Sequence, residues 1–288
     1  MNIGFYGLGL MGSRMAQHIL STDARLTVYN RTISKASLLA DQGAIVADSP
    51  HELAASSDIL FTMLSTPEAV RDAALGDEGF LTSMKTDALW VDCSTVNPSF
   101  SREMHKKTET HGLRFMDAPV AGSTAPAESG NLLFLAGGDE SDLEQAQPYF
   151  DVMGKKTIHA GEVGQGTSLK MVFNLLLGEA MVVFSEGMHL GQSLGLSKDM
   201  LMEALIGAPV VAPFITAKQE KIQNNKFDPE FPLKWMHKDL HLAAQSGYES
   251  GAALPAGNVI KELFALAERE GLSEQDFSAI YSFINDEK

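Results

Sequence analysis

Ile3-Gly-Phe-Tyr-Gly-Leu-Gly-Leu-Met-Gly12 is an apolar run of strand length that ends in a glycine-rich turn. A helix-like spacing of Met15, Ile19 and Leu20 follows, then a second apolar run, Leu26-Thr-Val-Tyr29. Strand, turn, helix and strand in such quick succession make a βαβ unit. In the spacing Gly7-x-Gly-x-x-Gly12 the glycines serve the tight turn, the close approach of backbone to a pyrophosphate, and the packing of helix on strand. The start of the helix adds free N–H groups that suit phosphate. Gly7, Leu8, Gly9, Leu10, Met11 and Gly12 are therefore the first candidate binding residues.

Where NAD-binding chains place an acid on the ribose 2′-hydroxyl, this sequence has Asn30-Arg31-Thr32. No carboxylate repels a 2′-phosphate there, and Arg31 can form charge-assisted bonds to one. The expected cofactor is NADP(H), with NAD weaker. Asp58-Ile-Leu-Phe-Thr-Met-Leu64 and Ala88-Leu-Trp-Val-Asp92 are continuous apolar runs, as a parallel sheet covered on both faces requires. Ligands of such sheets sit beyond the carboxyl ends of the strands. Met63, Leu64, Ser65 and Thr95 are thus expected beside the cofactor, although Ser and Thr here also suit helix caps before Pro67 and Pro98. Cys93 reads as a small buried hydrophobe rather than a nucleophile.

Leu113–Asp117, Leu132–Ala136 and Lys155–His159 continue the strands, and Glu140–Met153 is a further helix. Between the first two of these strands lies Asp117-Ala-Pro-Val-Ala-Gly-Ser123, whose Gly122 and Ser123 leave N–H groups open to an anion, or form only a turn. After Gly161 the period changes to helical. Gly164-Gln-Gly-Thr-Ser-Leu-Lys-Met-Val-Phe-Asn174 places Gly166, Lys170 and Asn174 four residues apart on one helical face. Its other residues are apolar nearly all round, which predicts a buried helix. A buried lysine there has its pKa lowered towards an acid/base range, unless it snorkels to water. Helices are expected over 170–191, 197–206, 213–223, 233–246 and 255–270. The expected architecture is a doubly wound, mostly parallel Rossmann domain (1–163) and an all-α domain (164–288), joined by a long helix over 164–191.

The 288 residues carry a formal net charge of −15, which argues against nucleic acid as a partner. A single cysteine excludes an internal disulfide. No signal-peptide pattern is evident, and the apolar run after Lys170 looks too interrupted for a membrane span, so a cytoplasmic protein is expected. His237 and His241 are spaced i, i+4, but no carboxylate or third ligand accompanies them, so no metal is expected. Lys238-Asp239 reads as a solvated charge pair.

Taken together, the glycine motif, Asp117-Ala-Pro-Val-Ala-Gly-Ser123, Gly166-x-x-x-Lys170-x-x-x-Asn174 and Lys238-Asp239-Leu240 resemble the β-hydroxyacid dehydrogenases, in particular the glyoxylate/succinic semialdehyde reductase branch. The resemblance spans essentially the whole chain. It implies reduction of small carboxylate-bearing aldehydes to hydroxyacids, with Lys170 as the acid. It further implies substrate binding by Ala121, Gly122, Ser123, Asn174, Phe231 and Asp239, and cofactor contacts from Ser65, Thr95 and Lys238. A homodimer or homotetramer is expected. The family's loop usually has serine where Ala121 stands, so one hydroxyl donor to a carboxylate is missing. Two alternatives are an NAD-linked 3-hydroxyisobutyrate-type dehydrogenase, and a non-catalytic NADP-binding interaction module, against which Lys170 speaks. An imine-reducing enzyme on the same scaffold is a further rival.

Overall fold

The computed structural model describes residues 1–286 and divides into two compact units, Met1–Lys170 and Met171–Lys288. The first contains nine strands: β1 (Asn2–Tyr6), β2 (Arg25–Tyr29), β3 (Ile45–Val46), β4 (Ile59–Thr62), β5 (Leu89–Asp92), β6 (Arg114–Asp117), β7 (Val120–Ala121), β8 (Leu132–Gly137) and β9 (Gly154–Gly161). Its helices are α1 (Gly12–Ile19), α2 (Ser37–Asp41), α3 (Pro50–Ser56), α4 (Pro67–Leu75), α5 (Pro98–Glu109), α6 (Thr124–Glu128) and α7 (Glu140–Met153). Strands β3, β2, β1, β4, β5 and β6 lie side by side in that order, all parallel. This is the Rossmann arrangement, extended by β8, which runs antiparallel to β6 and β7 and parallel to β9.

Successive residues of a strand point to opposite faces. Ile59 and Phe61 of β4, Leu89 and Val91 of β5 and Met116 of β6 pack on one side with Met15 and Ile19 of α1 and Phe150 of α7. Leu60, Trp90 and Phe115 pack on the other, with Leu53 of α3, Val70 of α4 and Phe100 of α5. A sheet so covered has room for polar groups only at its strand ends. In register, the last residues of β2, β1, β4, β5 and β6 form a row: Tyr29, Tyr6, Thr62, Asp92, Asp117.

The remaining helices are α8 (Gln165–Ser193), which carries the chain from the first unit into the second, α9 (Lys198–Leu205), α10 (Gln219–Asn224), α11 (Leu233–Ser250), α12 (Pro255–Ala267) and α13 (Ile280–Ile284). Met181, Phe184, Met236, Leu240, Phe264 and Tyr281 belong to the core of the helical unit.

The structure corrects several sequence expectations. α8 spans Gln165–Ser193, close to the long helix expected over 164–191, but it is not buried all round: Val172, Leu176, Val183 and Leu190 are exposed. By length and hydropathy it also passes for a bilayer span, contrary to the sequence reading. Its buried Thr167, Lys170, Asn174 and Ser185 are nevertheless side chains that a folded protein interior satisfies and hydrocarbon does not. The expected helix over 213–223 is a 3-10 segment, Pro213–Lys218, followed by α10. β3 and β7, two residues each, and α13 have no counterpart among the elements expected from the sequence.

Candidate active site

In the first unit the three motif glycines have distinct surroundings. Gly7 has φ +104°, and a Cβ there would lie 2.4 Å from the Met63 carbonyl oxygen. A Cβ on Gly12 would lie 1.9 Å from the Gly7 carbonyl oxygen, so α1 packs on the turn only through glycine. A Cβ on Gly9 would meet nothing within 4 Å. Gly7 and Gly12 are therefore glycine for internal reasons, whereas Gly9 borders open space. That is the pattern expected where a pyrophosphate approaches the backbone.

The N–H of Leu8 donates to Asn30 Oδ1 at 2.9 Å, and Asn30 Nδ2 donates to the Thr32 carbonyl at 3.0 Å. Asn30 thus braces the turn, and the Leu8 N–H is already used. The buried Leu8 side chain belongs to the core, while Leu10, Arg31 and Thr32 are exposed and Met11 is half-buried. Tyr6 is pushed up to about 12 by burial and by Tyr29 and Asp72, with Arg31 pulling the other way. No carboxylate stands in the Asn30-Arg31-Thr32 segment. These residues fit a nicotinamide dinucleotide: an open glycine edge, an unacidified strand end, and an exposed guanidinium.

The next strand ends are joined by a relay. Trp90 Nε1 donates to Thr62 Oγ1 at 2.8 Å, Thr62 donates to Asp92 Oδ1 at 2.7 Å, and the Ser94 N–H donates to the same oxygen at 3.1 Å. Ser94 Oγ then accepts from the Leu64 N–H at 2.9 Å. The Met63-Leu64-Ser65 loop is therefore held from the core; Ser65 is exposed, and Thr95, which follows Ser94 in the chain, is half-buried. Thr66, not Ser65, caps α4, accepting from Ala69. Cys93 is buried, and burial pushes its thiol well up, so it is not a poised nucleophile.

Ala121 lies in β7 opposite Leu133 of β8. Gly122 follows with φ +127°, and a Cβ there would meet Leu132 at 2.9 Å and Pro126 at 3.1 Å. Ser123 precedes α6 without capping it. His18 of α1 places Nε2 2.9 Å from the Ala127 carbonyl and 3.1 Å from that of Glu128, donating between them. It ties the loop to the helix of the glycine motif, across 109 residues of sequence. Lys170 is 8% exposed on the second turn of α8.

The second unit supplies a separate group. Asn174 Nδ2 donates to Asp239 Oδ2 at 2.5 Å, and Lys238 Nζ lies 2.9 Å from Asp239 Oδ1. Asn174 and Asp239 are both 2% exposed, so Lys238-Asp239 is not the solvated pair that the sequence suggests. The Phe231 N–H donates to Asp276 Oδ2 at 3.2 Å, and the Phe231 ring lies 5.7 Å from that of Phe277. Asp276, fully buried, is paired with Lys218 at 3.0 Å. His237 faces Glu268 at 2.6 Å. Among the described residues no three His, Cys, Asp or Glu side chains gather as metal ligands would.

Residues 2–161 match the NAD binding domain of 6-phosphogluconate dehydrogenase, and residues 164–284 match the NAD-binding of NADP-dependent 3-hydroxyisobutyrate dehydrogenase. The chain belongs to the β-hydroxyacid dehydrogenases. Glyoxylate/succinic semialdehyde reductases 2 (chloroplastic) and 1 of Arabidopsis thaliana are 38% and 36% identical over 97% of this chain, covering 78% and 97% of their own lengths. The human cytokine-like nuclear factor N-PAC is 34% identical over 97% of this chain, which spans 50% of it. Among solved structures, Mycobacterium tuberculosis 3-hydroxyisobutyrate dehydrogenase with L-serine superposes with a TM-score of 0.89 at 31% identity, covering 98% of both chains. A Myxococcus stipitatus imine reductase, at TM-score 0.66 and 18% identity over 98% of both chains, shares the fold. This β-hydroxyacid dehydrogenase is an oxidoreductase that uses a nicotinamide cofactor and a small-molecule substrate.

Asp92 makes the stability of the fold depend on pH. Burial pushes its carboxyl from 3.8 up to about 6, against hydrogen bonds from Ser94 and Thr62, and its Oδ2 has no hydrogen-bond partner among the described residues. A raised folded-state value means that the folded chain holds the proton more tightly. This group therefore opposes folding above pH 6, and its penalty fades as pH falls towards 4. Asp92→Asn should raise stability by about 1–3 kcal/mol at pH 7.5, with no gain left near pH 4. Urea midpoints at pH 7.5, 6 and 4.5 check this, and a gain independent of pH would refute it.

Proposed function

We propose that this chain is an NADPH-dependent reductase of small aldehydes that carry a carboxylate, of the glyoxylate and succinic semialdehyde type. The observation that carries the reading is Lys170, a lysine only 8% exposed, on the helix whose start is held by Asp117 at the carboxyl end of β6. The names of the two Arabidopsis reductases support the substrate class. Arg31, in the absence of an acid beside it, supports the phosphorylated cofactor.

In this reading Gly7, Gly9, Leu10, Met11 and Gly12 hold the pyrophosphate. Arg31, Asn30 and Thr32 take the 2′-phosphate end, and Met63, Leu64, Ser65, Thr95 and Lys238 flank the remainder. When bound, the reduced nicotinamide supplies a hydride to the carbonyl carbon of the substrate. Lys170 hydrogen-bonds the carbonyl oxygen, stabilises the alkoxide as it develops, and donates the proton that completes the alcohol. Gly122 and Ser123 hold the substrate carboxylate through backbone N–H groups and the Ser123 hydroxyl, beside Ala121. Asn174, oriented by Asp239, and Phe231 complete the substrate contacts. Two or four copies of the chain form the working assembly, and the exposed Leu176, Val183 and Leu190 of α8 support that expectation.

Three measurements test this reading. NADPH should exceed NADH by at least tenfold in kcat/KM, about 1.4 kcal/mol, and Arg31→Ala should erase most of the gap by weakening NADPH alone. Equal use of the two cofactors by the unmodified protein overturns the preference. Lys170→Ala should lower kcat by roughly 10²–10⁴-fold while NADPH still binds; near-normal turnover would move the proton transfer elsewhere. Ala121→Ser should restore a donor to the carboxylate. A hydrogen bond to a charged group contributes about 1.5–3 kcal/mol, so KM for glyoxylate or succinic semialdehyde should fall several-fold, with kcat changing less. A KM that stays or rises shows that residue 121 does not face the carboxylate.

A further inference from the structure

Asp117 is fully buried at the end of β6. Its Oδ1 accepts the Gly164 N–H at 2.6 Å, and its Oδ2 accepts the Thr167 N–H at 2.6 Å. Such N–H groups at the start of α8 have no acceptor within the helix. Both carboxylate oxygens are thus committed to one helix end, at two points on either side of Gln165 and Gly166.

The backbone around this grip leaves no slack. A Cβ on Gly166 would lie 2.2 Å from the Leu135 carbonyl oxygen and 2.9 Å from Asp117 Oδ2. A Cβ on Gly137 would lie 2.7 Å from both Asp117 Oδ1 and the Gly166 nitrogen. The Thr167 hydroxyl donates to the Gly164 carbonyl at 3.1 Å and lies 3.3 Å from Ser101 Oγ of α5. The first turn of α8 is therefore pressed against β6 and β8 and clamped by one side chain. Lys170 follows Thr167 by three residues and Gly166 by four, so it stands directly above this clamp on the same helical face.

We propose that Asp117 is the positioning residue for Lys170: by holding the Gly164 and Thr167 N–H groups at once, it sets the axial position and rotation of the turn that carries the ammonium. This rests on the reading that Lys170 is the proton donor. An asparagine cannot replace it, because its amide offers one acceptor and turns an N–H donor towards the second N–H. A displacement of about 1 Å at a catalytic group lowers turnover up to 10²-fold, so a small shift of this turn is enough to matter.

The test uses the full-length protein and whichever of glyoxylate or succinic semialdehyde it reduces. Asp117→Asn should lower kcat at least tenfold, with the Kd for NADPH unchanged within twofold and KM for the aldehyde changed less than kcat. Hydrogen exchange of the 164–170 segment, read without cofactor, should quicken at least tenfold while the later turns of α8 keep their protection. A residue that acts through Lys170 adds nothing once Lys170 is gone. Asp117→Asn should therefore change the residual rate of Lys170→Ala by less than twofold. Asp117→Glu, which keeps the charge but lengthens the reach, should also lose at least tenfold in kcat and serves if the asparagine variant does not fold. The proposal is overturned if both variants bind NADPH and turn over within twofold of the unmodified protein, or if the losses multiply in the Lys170→Ala background. It is overturned as well if neither variant folds, since Asp117 then holds the unit together rather than aiming one side chain. Near-normal turnover by Lys170→Ala itself would instead remove the proton-donor reading on which the proposal stands.

Discussion

A parallel sheet buried on both faces can display polar chemistry only where its strands stop, and the first unit is built around that constraint. Every residue of β4 and β5 is buried, and the polar members of β4, β5 and β6 that are fully enclosed, Thr62, Asp92 and Asp117, are the last residues of their strands. Each uses its position differently. Thr62 links Trp90 to Asp92, Asp92 supports the Ser94 hydroxyl that holds Leu64, and Asp117 grips the start of α8. Two carboxyls are raised to about 6 in consequence, each mainly by burial. Their cost to stability is the cost of making the strand ends rigid.

The parts of the site that were legible in the sequence are those whose physics is local. A glycine-rich turn after an apolar run reveals itself because tight turns and close approaches constrain residue type within a few positions. Asn30-Arg31-Thr32 and the Gly166–Lys170–Asn174 face are likewise short-range patterns. The ties that hold them are not. Asp117 reaches Gly164 and Thr167 across 47 and 50 residues, and His18 reaches α6 across more than a hundred. No spacing rule announces such pairs. β3 and β7 were missed for a different reason: two residues cannot display an alternating period.

α8 shows where composition misleads. Its apolar residues nearly encircle it, and that pattern is the same whether the outward face meets protein, solvent or lipid. The structure separates the faces: Met181, Val182, Phe184 and Met188 are buried, whereas Val172, Leu176, Val183 and Leu190 are not. Lys238-Asp239 misled in the opposite direction. Adjacent opposite charges ordinarily sit in solvent, yet here Asp239 is enclosed and accepts from the equally buried Asn174.

The unbroken course of α8 through Lys170 and Asn174 also sets how this chain can vary. An α-helix advances about 1.5 Å and turns about 100° per residue. One residue inserted between positions 170 and 174 would swing every side chain beyond it out of phase with those before it. Substitutions that keep size and polarity leave the phase intact. Length changes are therefore expected to be confined to the irregular stretches between helices, such as 206–212, while the 164–193 segment keeps its residue count even where its composition drifts.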